Sequence, residues 1–270
     1  MYFYKGHADQ IDFTNISSEF KSRINALFRE LSYSMGGDAL QETHEIKSEP
    51  PMAVMGASLF NDALTSVEPS VVNFINLPSY GRRLVPTSGL SLRGKFQAGY
   101  DPKLDATSVQ VPLEMPLNLS LLLLLPGKPG EFKVGGLSSL ESKLNSTSWN
   151  GLLKNFLPLQ KEAHLLLPRL EQESLINLNS TFTTMGSTEI FGQEANFVGI
   201  NGGRDLRLSA FYEFAKLSLK DSFNMNNTNN TTSSSEYDFR FERQFLYVLR
   251  HDPTGLIVTI GRYLKPKHAL

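Results

Sequence analysis

Phe20, Ile24, Leu27, Phe28 and Leu31 recur at the three- and four-residue spacing of one helix face, and Gly36–Gly37 closes that stripe. Beyond "KSEPP" the apolar pattern changes period. "MAVMGASLF" is an unbroken apolar run of strand length. From Val71 to Val111 short strand-like pieces alternate with "PSYG", "PTSG" and "YDPKL", which carry turn chemistry. "LNLSLLLLLPG" shows no polar alternation, which predicts a strand buried on both faces and stopped by Pro126–Gly127. Ser138 and Glu141 in "LSSLESKL" have the spacing of a capping box, and Trp149, Leu152, Leu153 and Phe156 form a second helical stripe. "AHLLLPRL" returns to strand, and Leu175, Leu178, Phe182 and Met185 predict a third helix ended by Gly186. Two closing strands are expected. Phe239, Phe241, Phe245, Tyr247 and Leu249 share a face of the first, and "LIVTIGRYL" is the second. "HDPTG" joins them, with Asp252, Pro253 and Gly255 where a type I turn favours them. The pattern as a whole is an α+β chain of mostly antiparallel sheets with several helices, in one domain spanning 1–270 and without repeats.

One segment breaks the pattern. "FNMNNTNNTTSSSEYDFRFERQF" places asparagine, threonine and serine where strand text should continue, and 221–238 is the single low-complexity tract. Three of the chain's seven Asn-x-Ser/Thr words fall there, at Asn226, Asn229 and Asn230. The others are Asn15, Asn118, Asn145 and Asn179. Asn118 belongs to the edge of a buried strand and is not expected to carry sugar, which leaves six candidate acceptors. An asparagine-rich insertion without sugar remains the alternative.

Composition excludes several classes. With 26 Lys and Arg against 27 Asp and Glu, the net charge is −1, and no basic stripe supports nucleic-acid binding. The absence of cysteine rules out disulfides and thiolate metal sites. No apolar run reaches the roughly 18 residues of a membrane-spanning helix. None of the five histidines (His7, His44, His164, His251, His268) has a partner at metal-ligand spacing, and neither HExxH, GxSxG nor a Walker loop occurs. "GINGGRD" lacks the Lys-Ser/Thr of a phosphate cradle and is expected to be a tight turn. Glu213, between Tyr212 and Phe214, is expected to be a satisfied or edge-facing carboxylate. No metal, no cofactor and no enzymatic activity is expected.

Five blocks in a fixed order resemble the serpin family. "DQIDF…ISSEFKSRINALFRELS" looks like the helix after the family's VDF signature. "MGASLFNDAL" is similar to NAxYFKGxW: Ala57 and Phe60 match, whereas Gly56, Asn61, Asp62 and Leu64 replace Asn, Lys, Gly and Trp. "GKFQAGYDPKLDATSVQVPLEMPLNLSLLLLLPG", "LLLPRLEQESLINLNSTFTTMGSTEIFGQEANFVGI" and "FERQFLYVLRHDPTGLIVTIGRYLKP" match three further blocks. The resemblance begins about midway through the family's N-terminal half. It therefore implies either a chain that begins late or exposed apolar faces, and a late start is the expectation.

The resemblance implies that 221–238 is the reactive loop. In inhibitory members a protease cuts this loop, which then inserts as a new strand into the central sheet, and Glu-Gly-Thr with an alanine run makes insertion possible. Here Ser222, Phe223, Asn224 and Met225 stand in that hinge. Two are bulky, and burying an unpartnered asparagine costs about 1–3 kcal/mol. The expectation is a divergent, extracellular, non-inhibitory family member whose partner is a serine protease or another extracellular protein, with any signal peptide lying upstream of Met1. The alternative is a working inhibitor cut within 233–240, with Ser233, Ser234, Tyr237 and Arg240 as reactive-loop candidates. A third reading is an incomplete product without a stable fold.

Overall fold

The computed structural model describes residues 22, 25–26, 52–64, 67–76, 83–113, 118–131, 136–154, 156–159, 161–221 and 237–266. They divide into two compact units, Met1–Phe60 with Glu173–Leu217, and Asn61–Gln172 with Ser218–Leu270. Ser22, Asn25 and Ala26 are helical, which agrees with the first stripe, while the apolar residues of that stripe lie outside the described residues.

One sheet, in the order β1-β10-β9, is built from β1 (Met52–Leu64), β10 (Leu208–Asp221) and β9 (Glu171–Asn177), of which residues 52–60, 208–217 and 173–177 belong to the first unit. A short helix, α3 (Asn179–Thr184), follows β9. Leu178 was expected in a helix beginning at Leu175, but Leu175 belongs to β9 and the helix starts only at Asn179. The reason is edge pairing. The Leu178 N–H donates to the Phe211 carbonyl of β10, so the strand ladder claims this backbone before a helix can. Phe182 then stacks on Phe211 at 5.0 Å between ring centres. Gly186 ends the segment as expected, at φ +95°.

The second unit holds two further sheets. One has the order β11-β8-β3-β2, from β11 (Tyr237–Arg240), β8 (Ala163–Pro168), β3 (Arg83–Gly94) and β2 (Val67–Asn76). The other has the order β13-β12-β6-β5-β4-β7, from β13 (Ile257–Tyr263), β12 (Phe245–His251), β6 (Leu119–Pro126), β5 (Ala106–Pro112), β4 (Gln97–Asp101) and β7 (Leu157–Pro158). Every residue of β6 is buried, as the unbroken leucine run requires. Leu122 and Leu124, beside Val248 and Leu246 of β12, meet α1 (Gly136–Lys143) and α2 (Ser146–Lys154) through Leu137, Leu140 and Leu152. On the opposite face, Phe245 and Tyr263 stack at 5.0 Å and meet Phe241 and Phe74 edge-on at 5.2 and 5.4 Å. Phe74 comes from β2, so these rings bond the two sheets into a sandwich. Gly261 lies opposite Tyr247 in the ladder and leaves the space that the Tyr247 hydroxyl occupies.

Two expectations change here. Ser138 is not an N-cap, because α1 begins at Gly136 and the serine lies inside the helix. The closing segment is three strands rather than two. Phe239 pairs parallel with Leu165 of β8, so it belongs to a different sheet from Phe245 and Tyr247. The break falls at Arg243, whose buried guanidinium donates to the Pro126 and Lys128 carbonyls at 2.8 and 3.2 Å. A period-two reading cannot see a strand that changes sheets.

At the rim of the second sheet, Tyr100 donates its hydroxyl to Asp105 at 2.6 Å. This bond, with smaller effects of desolvation and of the Asp105, Glu131 and Asp101 charges, pushes the phenol up to about 12. The folded phenol holds its proton more tightly than an unfolded one near 10. Its contribution to stability is therefore complete below pH 10 and is lost as the pH rises through 12. In an alkaline absorbance titration, Tyr100→Phe is expected to remove one ionisation near pH 12. Removal of a phenol ionising near pH 10 instead would refute the assignment.

Candidate functional site

The loop singled out from the sequence joins β10 to β11. Ser222, Phe223, Asn224, Met225, Asn226, Asn229, Asn230, Ser233 and Ser234 all lie outside the described residues, as does Asn15. What the structure describes is the strand before the loop, the strand after it and the sheet into which a strand could be added.

The strand before it, β10, lies between β1 and β9. Both of its edges are therefore occupied, and a further strand could pair with β10 only after one ladder opens. On the β1 side the Ser58 hydroxyl donates to Glu213 Oε1 at 2.6 Å. Gly56 makes room for the same carboxylate, because a Cβ there would collide with Glu213 Oε2. Glu213 is thus a satisfied carboxylate, as expected from its place between two aromatics. Leu217, Ser218 and Leu219 are buried in succession, so β10 is covered on both faces along this stretch.

Beyond the loop, Tyr237 and Arg240 are the ends of β11, which pairs parallel with β8 from Tyr237↔Ala163 to Arg240↔Leu166. Tyr237 is exposed. The Arg240 guanidinium is held by Asp238 Oδ2 at 2.7 Å and by Glu242 Oε1 at 3.5 Å. A protease needs its scissile segment extended and free, and Arg240 is already committed to a sheet. Of the four reactive-loop candidates, the structure therefore places two in a strand.

The solvent face of this sheet carries a linkage that sequence spacing did not reveal. The Ser91 hydroxyl of β3 lies 3.0 Å from His164 Nε2 of β8, and His164 Nδ1 lies 2.9 Å from Asp238 Oδ1 of β11. Ser91 and His164 are 73 positions apart and His164 and Asp238 are 74 apart, so no local motif could announce them. Partial burial raises the Asp238 carboxyl, but hydrogen bonds and charge from Arg240 and His164 outweigh it and hold the group below the usual carboxylate range. Among the described residues, no group of three or more His, Cys, Asp or Glu side chains could hold a metal ion.

Two sequon asparagines are described. Asn145 is exposed and caps α2, its Oδ1 accepting from the Thr147 and Ser148 N–H groups at 3.0 Å. Its Nδ2 reaches only the Lys143 carbonyl, at 3.4 Å. Asn179 is half-buried and uses both ends of its amide, donating to the Ser209 carbonyl at 2.7 Å and accepting from the Phe211 N–H at 2.9 Å. It clips α3 to β10. Asn179→Ala leaves a strand N–H without its partner and is expected to cost about 1–3 kcal/mol in denaturant unfolding, whereas a change under 0.5 kcal/mol would show that the clip is idle. Asn118, which was not expected to carry sugar, is exposed just before β6 at φ +50°, and its carbonyl accepts from the Asp252 N–H at 3.0 Å.

Known proteins place this arrangement. Turkey ovalbumin (Meleagris gallopavo) is 24% identical over 276 residues, covering 97% of this chain and 68% of its own length. Heparin cofactor 2 of Rattus norvegicus is 24% identical over 269 residues, covering 98% of this chain and 53% of its own. Among solved structures, uncleaved ovalbumin superposes with a TM-score of 0.75 at 21% identity, over 97% of this chain and 67% of that one. Native protease nexin-1 with heparin gives 0.73 at 20% identity, over 96% and 69%. A family model described as serpin (serine protease inhibitor) matches residues 1–266. The order of the strands, the sandwich and the family match agree, and the chain belongs to the serpin family.

Proposed function

We propose that this chain is a non-inhibitory serpin, exported from the cell, whose loop between β10 and β11 is presented to partner proteins without springing. The observation that carries this reading is the hinge, where Ser222, Phe223, Asn224 and Met225 follow directly on Asp221. A strand inserted beside β10 would have to separate a neighbour from it, and on the β1 side it would also break the Ser58–Glu213 bond. Small residues make such an exchange favourable because their side chains are accommodated at little cost on covered faces. A phenylalanine, a methionine and successive asparagines are not, since each needs a space or a polar partner that the packed interior must create. A protease that cuts the tract would then leave as from any substrate.

Incubation with a panel of trypsin-, chymotrypsin- and elastase-like serine proteases tests this, read on denaturing gels. Cleavage within 222–236 with no SDS-resistant conjugate is the expected result, and a conjugate with any of the proteases would overturn it.

The sequons at Asn226, Asn229 and Asn230, with the exposed Asn145, support passage through the secretory pathway. Chain recovered from the medium of expressing cells is expected to lose mass on treatment with an N-glycanase. Unmodified chain retained inside the cell would remove the export part of the proposal.

A further inference from the structure

We propose that Ser91 is an acyl-accepting hydroxyl, activated by His164 and oriented through Asp238, that reacts with small neutral activated esters on the solvent face of the β11-β8-β3-β2 sheet. Three strands bring these groups together by register alone. His164 lies opposite Arg93 on one side and Asp238 on the other, and Ser91 lies opposite Leu166 and Glu68. The period of two puts Ser91, Arg93, His164, Asp238 and Arg240 on one face.

The hydrogen-bond chain fixes the histidine tautomer. Asp238 as a carboxylate only accepts, so Nδ1 carries the proton and donates to Oδ1 at 2.9 Å. In the neutral imidazole Nε2 then has the lone pair and accepts from the Ser91 hydroxyl at 3.0 Å. Nucleophile, base and orienting group thus stand in the relation that lets a serine attack a carbonyl. Arg240 binds the second oxygen of Asp238 at 2.7 Å, which keeps that carboxylate ionised and turned toward the ring. Ser91 is half-buried, with buried Leu166 opposite it on one side, while Asp238 and Arg240 on the same face are exposed.

The step balances as an ordinary acyl transfer. Ser91 Oγ bonds to the carbonyl carbon as its proton passes to His164 Nε2. The bond from that carbon to the aryl oxygen breaks, and the phenolate leaves with the electron pair. The imidazolium then returns its proton to solvent, and an acyl-Ser91 ester remains. Within a strand the backbone N–H groups near Ser91 are paired in the ladder or face neighbouring strands, so no pair of them converges on the developing oxyanion. A single such donor is worth about 100- to 1,000-fold in rate, and the absence of a converging pair makes this a slow single acylation rather than a turnover reaction.

The probe is p-nitrophenyl acetate on the full chain, with phenolate release followed by absorbance and the acetylated residue assigned by peptide mass spectrometry. Acetylation of Ser91 is expected ahead of other hydroxyls, and Ser91→Ala is expected to remove that adduct while the chain still unfolds cooperatively. His164→Gln is expected to slow Ser91 labelling roughly 100-fold. Asp238→Asn should slow it at least about tenfold, through the wrong tautomer. A structural hydrogen-bond chain alone would not make the rate of Ser91 labelling depend on His164. Equal labelling in wild type and His164→Gln, or acetyl groups confined to lysines and other sites, would overturn the proposal.

Discussion

On the proposed reading, replacing Phe223, Asn224, Met225 and Asn226 together by alanine is expected to give a loop that enters the sheet after cleavage, where the natural loop is expected to stay out. The expected signature is a rise in melting temperature after the loop is cut. A strand segment of five or so residues gains ladder hydrogen bonds worth about 1 kcal/mol each, net, and the apolar contact of its methyl groups. A total near 5 kcal/mol corresponds to roughly 10–20 °C for a chain of this size. On the same reading the natural residues would oppose that gain on insertion, through the bulk of Phe223 and Met225 and the cost of burying the amides of Asn224 and Asn226. If the alanine variant shows no rise after cleavage, the barrier lies in the sheet itself, at the β1–β10 pairing and its Ser58–Glu213 bond, and not in the hinge.

The second large effect concerns stability rather than the loop. Leu122→Ala is expected to cost about 3–5 kcal/mol in denaturant unfolding. Leu122 is fully buried in β6, in the cluster formed with Leu140, Leu152 and Val248. Neighbouring strands β5 and β12 are hydrogen-bonded to it on either side, so the sheet cannot close over the lost side chain. An exposed apolar residue gives the contrast. Ile260, at the edge in β13, is 53% exposed, and Ile260→Ala should change stability by less than about 1 kcal/mol. Similar losses for the two would mean that β13 is covered in solution.

The parts of the fold that sequence made legible are those in which one period controls a whole element. The leucine run of β6 has one environment from end to end and appears as expected, while the second stripe is helical through Trp149, Leu152 and Leu153 and leaves Phe156 beyond the end of α2 at Lys154. The failures come where a tertiary contact interrupts a period. Leu175 and Leu178 have helical spacing with Phe182, but pairing with β10 claims the first part of that segment. Phe239 alternates in step with Phe245 and Tyr247, yet buried Arg243 marks a crossing between sheets that no alternation can record.

At the site the same division holds. The size and polarity of Ser222, Phe223, Asn224 and Met225 are properties of the residues themselves, but these residues lie outside the described ones and the hinge reading stays an expectation. The Ser91–His164–Asp238 linkage could not be read from the sequence, since it exists only once β3, β8 and β11 have settled into register. A histidine with no partner at short spacing tells nothing about partners supplied by other strands.

The measurement closest to the central claim is the melting temperature of the natural chain before and after a single cut within 222–236. A bait that does not insert gains nothing from being cut, and the two temperatures should agree within about 2 °C, a difference worth less than 1 kcal/mol. A rise of 10 °C or more after cleavage would show that the loop has entered the sheet, and would contradict the claim that this serpin does not spring.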